Sequence, residues 1–163
     1  MREWLVASGV VEGPAGLLLV QNRRRNGDID WSTPGGVVEV ADGETVIGGL
    51  TREVREETGI EVSAWEGPLY EVEVAAPGLG WQLRVEVHRA IEYAGDLWVD
   101  DVDGIVTDAR YVTAEDYDHH LAACPPWVRE PLSSWLTERW PDRRRWRYRI
   151  DGASGADMRV HRL

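Results

Sequence analysis

The sequence predicts an α+β domain, and three observations lead there. A single long segment, residues 44 to 58, has helical periodicity, and strand-like alternation dominates on both sides of it. The 163 residues, 43% hydrophobic and 29% charged, suit one globular domain with a full core. No internal repeat or low-complexity stretch interrupts the pattern.

The elements follow in chain order. Residues 3 to 12 and 16 to 22 read as two strands joined at "GPAG", with Pro and Gly where a hairpin needs them. A polar loop, "RRRNGDID", leads to "WSTPGGVVEV". From Glu44 to Thr58 the apolar residues Ile47, Leu50 and Val54 share one helical face. Asp42 is the candidate N-cap and Gly59 supplies the left-handed stop. Fifteen residues make a helix about 22 Å long. "PLYEVEVAA" and "WQLRVEVHRAIEY" alternate with period two around "PGLG", a second hairpin. "ARYVTAEDYDHHLAAC" reads as a short strand, a Thr113 cap and a short helix, and "WVREPLSSWLTERW" as an amphipathic helix after "PP". In the tail, Trp146, Tyr148 and Ile150 share one face of a strand and Arg145, Arg147 and Arg149 the other, and "DGASG" turns it into a final hairpin. Residues 1 to 140 thus form the body, and 141 to 163 an Arg- and aromatic-rich extension of the same domain.

Charge and cysteine usage narrow the function classes. The net charge is −11, yet from Arg143 onward seven Arg face two Asp, a balance of +5 that leaves −16 on the rest. An acidic body disfavours nonspecific nucleic-acid binding, and an anionic substrate entering it needs bound cations. The longest apolar run, "LLLV", is too short to span a bilayer, and the N-terminal stretch alternates like a strand rather than a signal peptide. A single cysteine, Cys124, excludes an internal disulfide and fits a reducing, cytoplasmic setting, where it reads as a small core hydrophobe.

The segment "TREVREETGI" crowds Glu53, Glu56 and Glu57 on one helix. Carboxylates three and four residues apart face one another, at a cost of a few tenths of a kcal/mol per pair. At 100° per residue the three cover an arc of about 100° beside Leu50 and Val54, at the edge of the core. Arg52 stands one turn before Glu56 and can hold its carboxylate. Gly48 and Gly49 cost about 1 kcal/mol each relative to Ala. Gly49 lies inside the glutamate arc, which calls for a close approach by backbone or ligand. Clustered carboxylates there make a hard-cation site for Mg²⁺, which keeps waters and completes its shell with substrate phosphates. The alternative is a solvated helix face laced with i, i+4 ion pairs.

Gly35-Gly36, Glu44 and the run Arg52-Glu53-Val54-Arg55-Glu56-Glu57-Thr58-Gly59-Ile60 resemble the signature of the Nudix hydrolases. Glu44, Arg52, Glu53, Glu56, Glu57 and Gly59 all match in register. Seven residues separate Gly36 from Glu44 where the family usually has five, which lengthens the loop before the helix, and Thr33 replaces a larger apolar residue. The motif covers residues 34 to 60 and a looser strand order covers 1 to 136; the C-terminal hairpin lies outside it. The resemblance implies an α/β/α sandwich with a mixed central sheet that hydrolyses a nucleoside diphosphate linked to another group, with Mg²⁺ or Mn²⁺. Carried over by position, Glu56 and Glu57 are the main metal ligands, and Glu53 is a further ligand or the base. Arg52 orients a carboxylate and Gly36 offers backbone to metal or phosphate.

Residues outside the motif bear on the substrate. Arg23, the first of "RRR", is the candidate for the substrate phosphates. Asp103, among the acids of "DLWVDDVDG", is the candidate further metal ligand. Trp81 could stack on a base, although nine Trp and no Phe show that Trp also serves the core. His88, His119 and His120 read as ordinary positions. The expected substrate is a nucleoside triphosphate, oxidised or not, with ADP-ribose or a nucleotide sugar as the alternative. A non-catalytic module binding nucleotide or RNA through the Arg/aromatic tail is the rival class, and a homodimer contact is another reading of that tail.

Overall fold

Alternating segments can bury one face only by pairing into sheets, and this chain builds two. The computed structural model describes residues 1–101 and 103–163. The larger sheet holds six strands. In chain order these are β1 (Arg2–Val10), β5 (Gly35–Val37), β6 (Glu61–Ala76), β7 (Trp81–Ala94), β9 (Arg145–Asp151) and β10 (Arg159–Arg162). Its spatial order is β10-β9-β6-β7-β1-β5, mixed because β1 runs parallel to β7 and β9 parallel to β6. The smaller sheet centres on β3 (Gly16–Arg23), paired with β2 (Glu12–Gly13), β4 (Ile29–Ser32) and β8 (Val106–Val112). Among the described residues three α-helices complete the fold: α1 (Val46–Thr58), α2 (Tyr117–Leu121) and α3 (Pro126–Glu138).

Two apolar clusters fill the interior. One joins β6, β7 and β9 to α3 through Tyr70, Val72, Tyr148, Leu132 and Trp135. The other packs Leu50 and Val54 of α1 against Ala7, Leu18, Val20 and Ala109. Strand β3 serves both, with Leu17 and Leu19 facing the first and Leu18 and Val20 the second. A strand buried on both faces reads as a continuous apolar run, which is what "LLLV" is.

Four local expectations need correction. The first hairpin is not formed by the first two long strands. β1 crosses to the larger sheet, and only the two-residue β2 turns back on β3. Helix α1 starts at Val46 rather than Glu44, and its N-cap is Thr45, whose hydroxyl accepts from the Gly48 N–H at 3.0 Å; Asp42 ends a separate turn, Val40–Asp42. Ile47 is 40% exposed and contributes nothing to the apolar face that Leu50 and Val54 bury. Thr113 opens its turn but donates its hydroxyl to Asp116 at 3.2 Å instead of capping a backbone N–H.

Elsewhere sequence and structure coincide. The β6–β7 hairpin turns at Pro77–Leu79. The tail forms the β9–β10 hairpin, with Trp146, Tyr148 and Ile150 buried. Its arginines face the acidic strand β6: Arg145 pairs with Glu71 at 2.8 Å and Arg147 with Glu73 at 3.1 Å. Cys124 is buried, donates its S–H to the Trp31 carbonyl at 2.6 Å, and has its thiol pushed up to about 11 by burial, which suits packing and not nucleophilic chemistry. Among the described residues no helix is long and apolar enough to cross a membrane.

Helix α3 ends where Arg139 adopts a left-handed conformation, φ 51°, and grips Glu12 of β2 with two bonds of 2.7 Å. That bidentate pair ties α3 to the small sheet and holds the Glu12 carboxyl below its usual range. A carboxyl lowered in the folded state stabilises above its unfolded pKa and loses that contribution as pH falls through the folded one. Glu12→Gln should therefore cost about 1 kcal/mol at neutral pH, and the difference from wild type should close below about pH 4. Urea unfolding at both pH values measures it; an equal loss at both would assign the effect to packing.

Candidate active site

The site is assembled around α1 because both ends of that helix are fixed. Thr45 caps the first turn, and Gly59, left-handed at φ 80°, closes the last. The next loop reaches back to the helix: the Trp98 N–H donates to Thr58 O at 2.7 Å and the Asp100 N–H to Glu56 O at 3.1 Å. These bonds satisfy carbonyls that the helix end leaves open. They also bring Asp101 and Asp103 to the glutamate face. Asp101 is held in turn by the N–H groups of Ile105 and Val106, at 3.0 and 2.9 Å.

Arg52 organises the carboxylates. Its Nε and Nη2 donate to Glu44 at 2.8 and 3.1 Å, and its Nη1 to Glu53 and Glu56 at 3.1 and 3.2 Å. Glu44 also accepts the Glu39 N–H at 3.0 Å, and these bonds, Arg52 first, hold its carboxyl below the ordinary range. Two glycines make room for this. A Cβ on Gly49 would lie 2.6 Å from Glu44 Oε1, and one on Gly36 would lie 2.7 Å from Glu53 Cδ. The close approach expected at Gly49 is therefore made by a carboxylate.

Glu57 stands apart from the Arg52 network. It is 4% exposed, and the Gly35 N–H donates to it at 3.2 Å. Burial, then the charge of Glu53, pushes its pKa up to about 9, with Asp101 and Glu56 adding to the rise. Glu53 is raised as well, by burial first, against the lowering effect of Arg52. Among the described residues no three His, Cys, Asp or Glu side chains gather into a ready-made metal cage. The donor set nevertheless fits a hard divalent cation. Mg²⁺ is commonly held by one or two carboxylates and finishes its shell with water and phosphate. A buried carboxyl kept neutral by burial and neighbouring acids is the group such a charge would relieve.

A cavity of about 520 Å³ opens from this cluster. Its acidic end is lined by Glu53, Glu57, Asp101 and Asp103, with Gly36 beside them. Its far end is apolar, lying between Tyr70 and Val85 of the large sheet and Trp127 of α3. Between the two are Asn22, Arg24, Ser32 and Thr33. Glu56 points to Arg52 and is not among the lining residues. A shallower acidic basin beside the cavity involves Glu39, Glu44, Arg52, Glu53 and Asp103.

Two of the expected substrate contacts lie elsewhere. Arg23 does not line the cavity, because side chains alternate along β3 and Asn22 and Arg24 face it instead. Trp81 begins β7, packs half-buried against the apolar core and is also absent from the lining; the aromatic side chains there are Tyr70 and Trp127. Asn22, Arg24 and Trp127 were missed for different reasons. Strand parity could have favoured Asn22 and Arg24 over Arg23. Nothing local in the sequence singles out Trp127 among nine Trp.

Fold and box together define a Nudix-type α+β domain. The matching family description is the NUDIX domain, over residues 3–136, and the chain belongs to that family as a Nudix hydrolase. Solved structures with the same fold include the Escherichia coli ORF135 protein, 21% identical with a TM-score of 0.68 over 87% of this chain and 96% of that one. A MutT protein from Methanosarcina mazei Go1 is 19% identical, with a TM-score of 0.66 over 85% and 96% of the two chains. A MutT protein from Bacillus halodurans is 22% identical, with a TM-score of 0.64 over 96% and 97%. No match is found among curated proteins.

The glycine clearance gives a test that separates stability from geometry. Gly49→Ala adds helix propensity of about 1 kcal/mol and forces the Glu44 carboxylate away from Arg52. Thermal unfolding should show no loss of stability, while turnover of the best nucleotide substrate should fall about tenfold, about 1.4 kcal/mol in the barrier. Full activity in this variant would show that the Glu44–Arg52 pair does not set the glutamate geometry.

Proposed function

We propose that this chain hydrolyses the diphosphate linkage of a nucleotide, taking a nucleoside triphosphate, oxidised or not, to the monophosphate and pyrophosphate. The observation that supports this most is the polarity of the cavity. Carboxylates, the buried Glu57 among them, crowd one end, an apolar slot with aromatic side chains forms the other, and a phosphorylated nucleoside has the matching two ends. Glu53, Glu56 and Glu57 would hold Mg²⁺ or Mn²⁺, with Asp103 a further acidic ligand and the Gly36 backbone close by. The bound ions supply charge neutralisation of the phosphates and a lowered pKa for the attacking water.

The protein's own groups do the rest. Arg52 fixes the rotamers of Glu44, Glu53 and Glu56, so the carboxylates are placed before substrate arrives. The water oxygen forms a bond to phosphorus while the bridging P–O bond breaks, and the bridging oxygen leaves with its phosphate. The proton goes to Glu53, which lines the cavity and is the glutamate that the resemblance offers as a base. Arg24, on the cavity wall, replaces Arg23 as the cation nearest the substrate, and Trp127 replaces Trp81 as the stacking surface. Single-strand binding by the tail is disfavoured, because Arg145 and Arg147 already pair with Glu71 and Glu73.

The assay is a panel of ordinary and oxidised nucleoside triphosphates, ADP-ribose, nucleotide sugars and dinucleotides with Mg²⁺ or Mn²⁺. Release of pyrophosphate and nucleoside monophosphate from a triphosphate is expected, and chelation of the metal should abolish it. Glu57→Gln should lower kcat by at least about a hundredfold. It should not destabilise the metal-free protein, because the raised Glu57 pKa means its ionised form opposes folding at neutral pH. Wild-type turnover by Glu57→Gln would refute the assignment.

A further inference from the structure

Asn22 is 7% exposed, yet it lines the cavity. Its amide is oriented by its neighbours. Nδ2 donates to Asp30 Oδ1 and to Ser32 Oγ, both at 2.9 Å. A carboxylate oxygen only accepts, so the amide nitrogen must face Asp30 and the two N–H bonds of the carboxamide are used. Asp30 is itself fixed by Arg24, whose Nε and Nη2 donate to it at 2.7 and 2.9 Å. The carboxamide oxygen is thereby turned the other way. It has no hydrogen-bond donor among the described residues, and it is not sealed off: the fully buried side-chain polar atoms without a partner there are Trp146 Nε1 and Tyr148 OH. Asn22 Oδ1 is therefore an accessible, unpartnered acceptor on a residue that lines the cavity.

Ser32 supplies the complement. Its oxygen accepts from Asn22, which leaves its own hydroxyl proton to donate. The cavity wall thus carries an acceptor on Asn22 and a donor on its hydrogen-bonded neighbour Ser32. A phosphate oxygen cannot use the acceptor, since both would be acceptors. The pair instead complements an N–H next to an acceptor, which the pairing edge of each ordinary nucleobase presents. The arrangement is rigid because four bonds around Asp30 and Asn22 fix it, and a rigid site of this kind penalises a ligand lacking the matching group.

We propose that Asn22 is a specificity-determining residue that accepts an N–H from the edge of a nucleobase seated between the sheet and α3. The proposal rests on the nucleotide-hydrolase reading and assigns the base to this end of the cavity. Its consequence is discrimination against bases with no N–H on that edge. Purine riboside triphosphate and pyrimidin-2-one riboside triphosphate are such bases, lacking the amino groups of ATP and CTP but keeping their size and phosphates.

The test compares each analogue with its parent in the wild-type protein with Mg²⁺, using kcat/KM. It also measures the affinity of the same ligands for the Glu57→Gln variant by calorimetry. For the better-used parent, the analogue should be poorer by at least about tenfold in both measurements. Asn22→Ala should reduce that ratio to about twofold or less, mainly by weakening the parent. Equal kcat/KM for parent and analogue in the wild type overturns the proposal, as does an Asn22→Ala protein that keeps the wild-type ratio. The wild-type comparison decides alone if the variant does not fold. Turnover of no nucleotide removes the functional reading together with this one, whereas turnover without discrimination removes only the role of Asn22.

Discussion

The constraint on which the site depends is the burial of a carboxyl among other carboxyls. Glu57 lies where α1 meets the turn into β5, and burial with the charge of Glu53 drives it toward the neutral form. Removing an ion from water costs several kcal/mol unless a partner compensates. The chain supplies a partial remedy through Arg52, which spans Glu44, Glu53 and Glu56. For Glu57 it offers the Gly35 N–H, and a neutral donor does not offset the burial of a charge. A local arrangement that opposes folding persists only where the rest of the structure enforces it, and such places tend to be functional. Here the enforcement is visible: a capped helix, a return loop bonded to its last carbonyls, and two glycines where a Cβ would displace a carboxylate.

How much of this is legible in the sequence depends on whether the signal is local. The helix, its Gly59 stop, the Arg52 to Glu56 contact and the clustering of the three glutamates all follow from spacings of three, four and seven residues. The β6–β7 hairpin and the alternating tail follow from period two. The failures are of two kinds. Some follow from reading a cap by residue type alone: Asp42 is a favoured cap residue, yet it ends a turn of its own and Thr45 caps the helix. Arg23 attracted notice for its charge, while strand parity sends its neighbours Asn22 and Arg24 into the cavity. The others needed tertiary information. No sequence period tells β1 to leave its expected partner for β7, nor brings Trp127 from α3 opposite Tyr70 and Val85.

The same geometry explains why the two ends of the cavity differ. Strand β3 is buried on both faces for most of its length and becomes polar only at Gln21 to Arg23, where its last pairs with β4 form. The polar wall of Asn22, Ser32 and Arg24 therefore falls at the strand end, between the cluster under α1 and the cluster under α3. A ligand lying along it crosses from a region of high negative charge to one of low polarity. Carboxylates alone would repel a phosphate, so cations at the acidic end and desolvation at the apolar end would orient it before any single hydrogen bond does.

The uneven charge of the chain fits this picture. The seven Arg after residue 142 would look like a basic arm if the tail were free. In the fold five of them, Arg145, Arg147, Arg149, Arg159 and Arg162, lie on strands added to the acidic edge of the large sheet. Arg145 and Arg147 meet Glu71 and Glu73, Arg149 meets Asp151, and Arg162 covers the ring of Trp146 at 4.1 Å. Solvent-exposed pairs of this kind contribute little each, but like charges directly opposite on neighbouring strands would destabilise the sheet. The hairpin is therefore better understood as the strand pair that lets an acidic β6 take a neighbour, with its arginines facing the β6 glutamates.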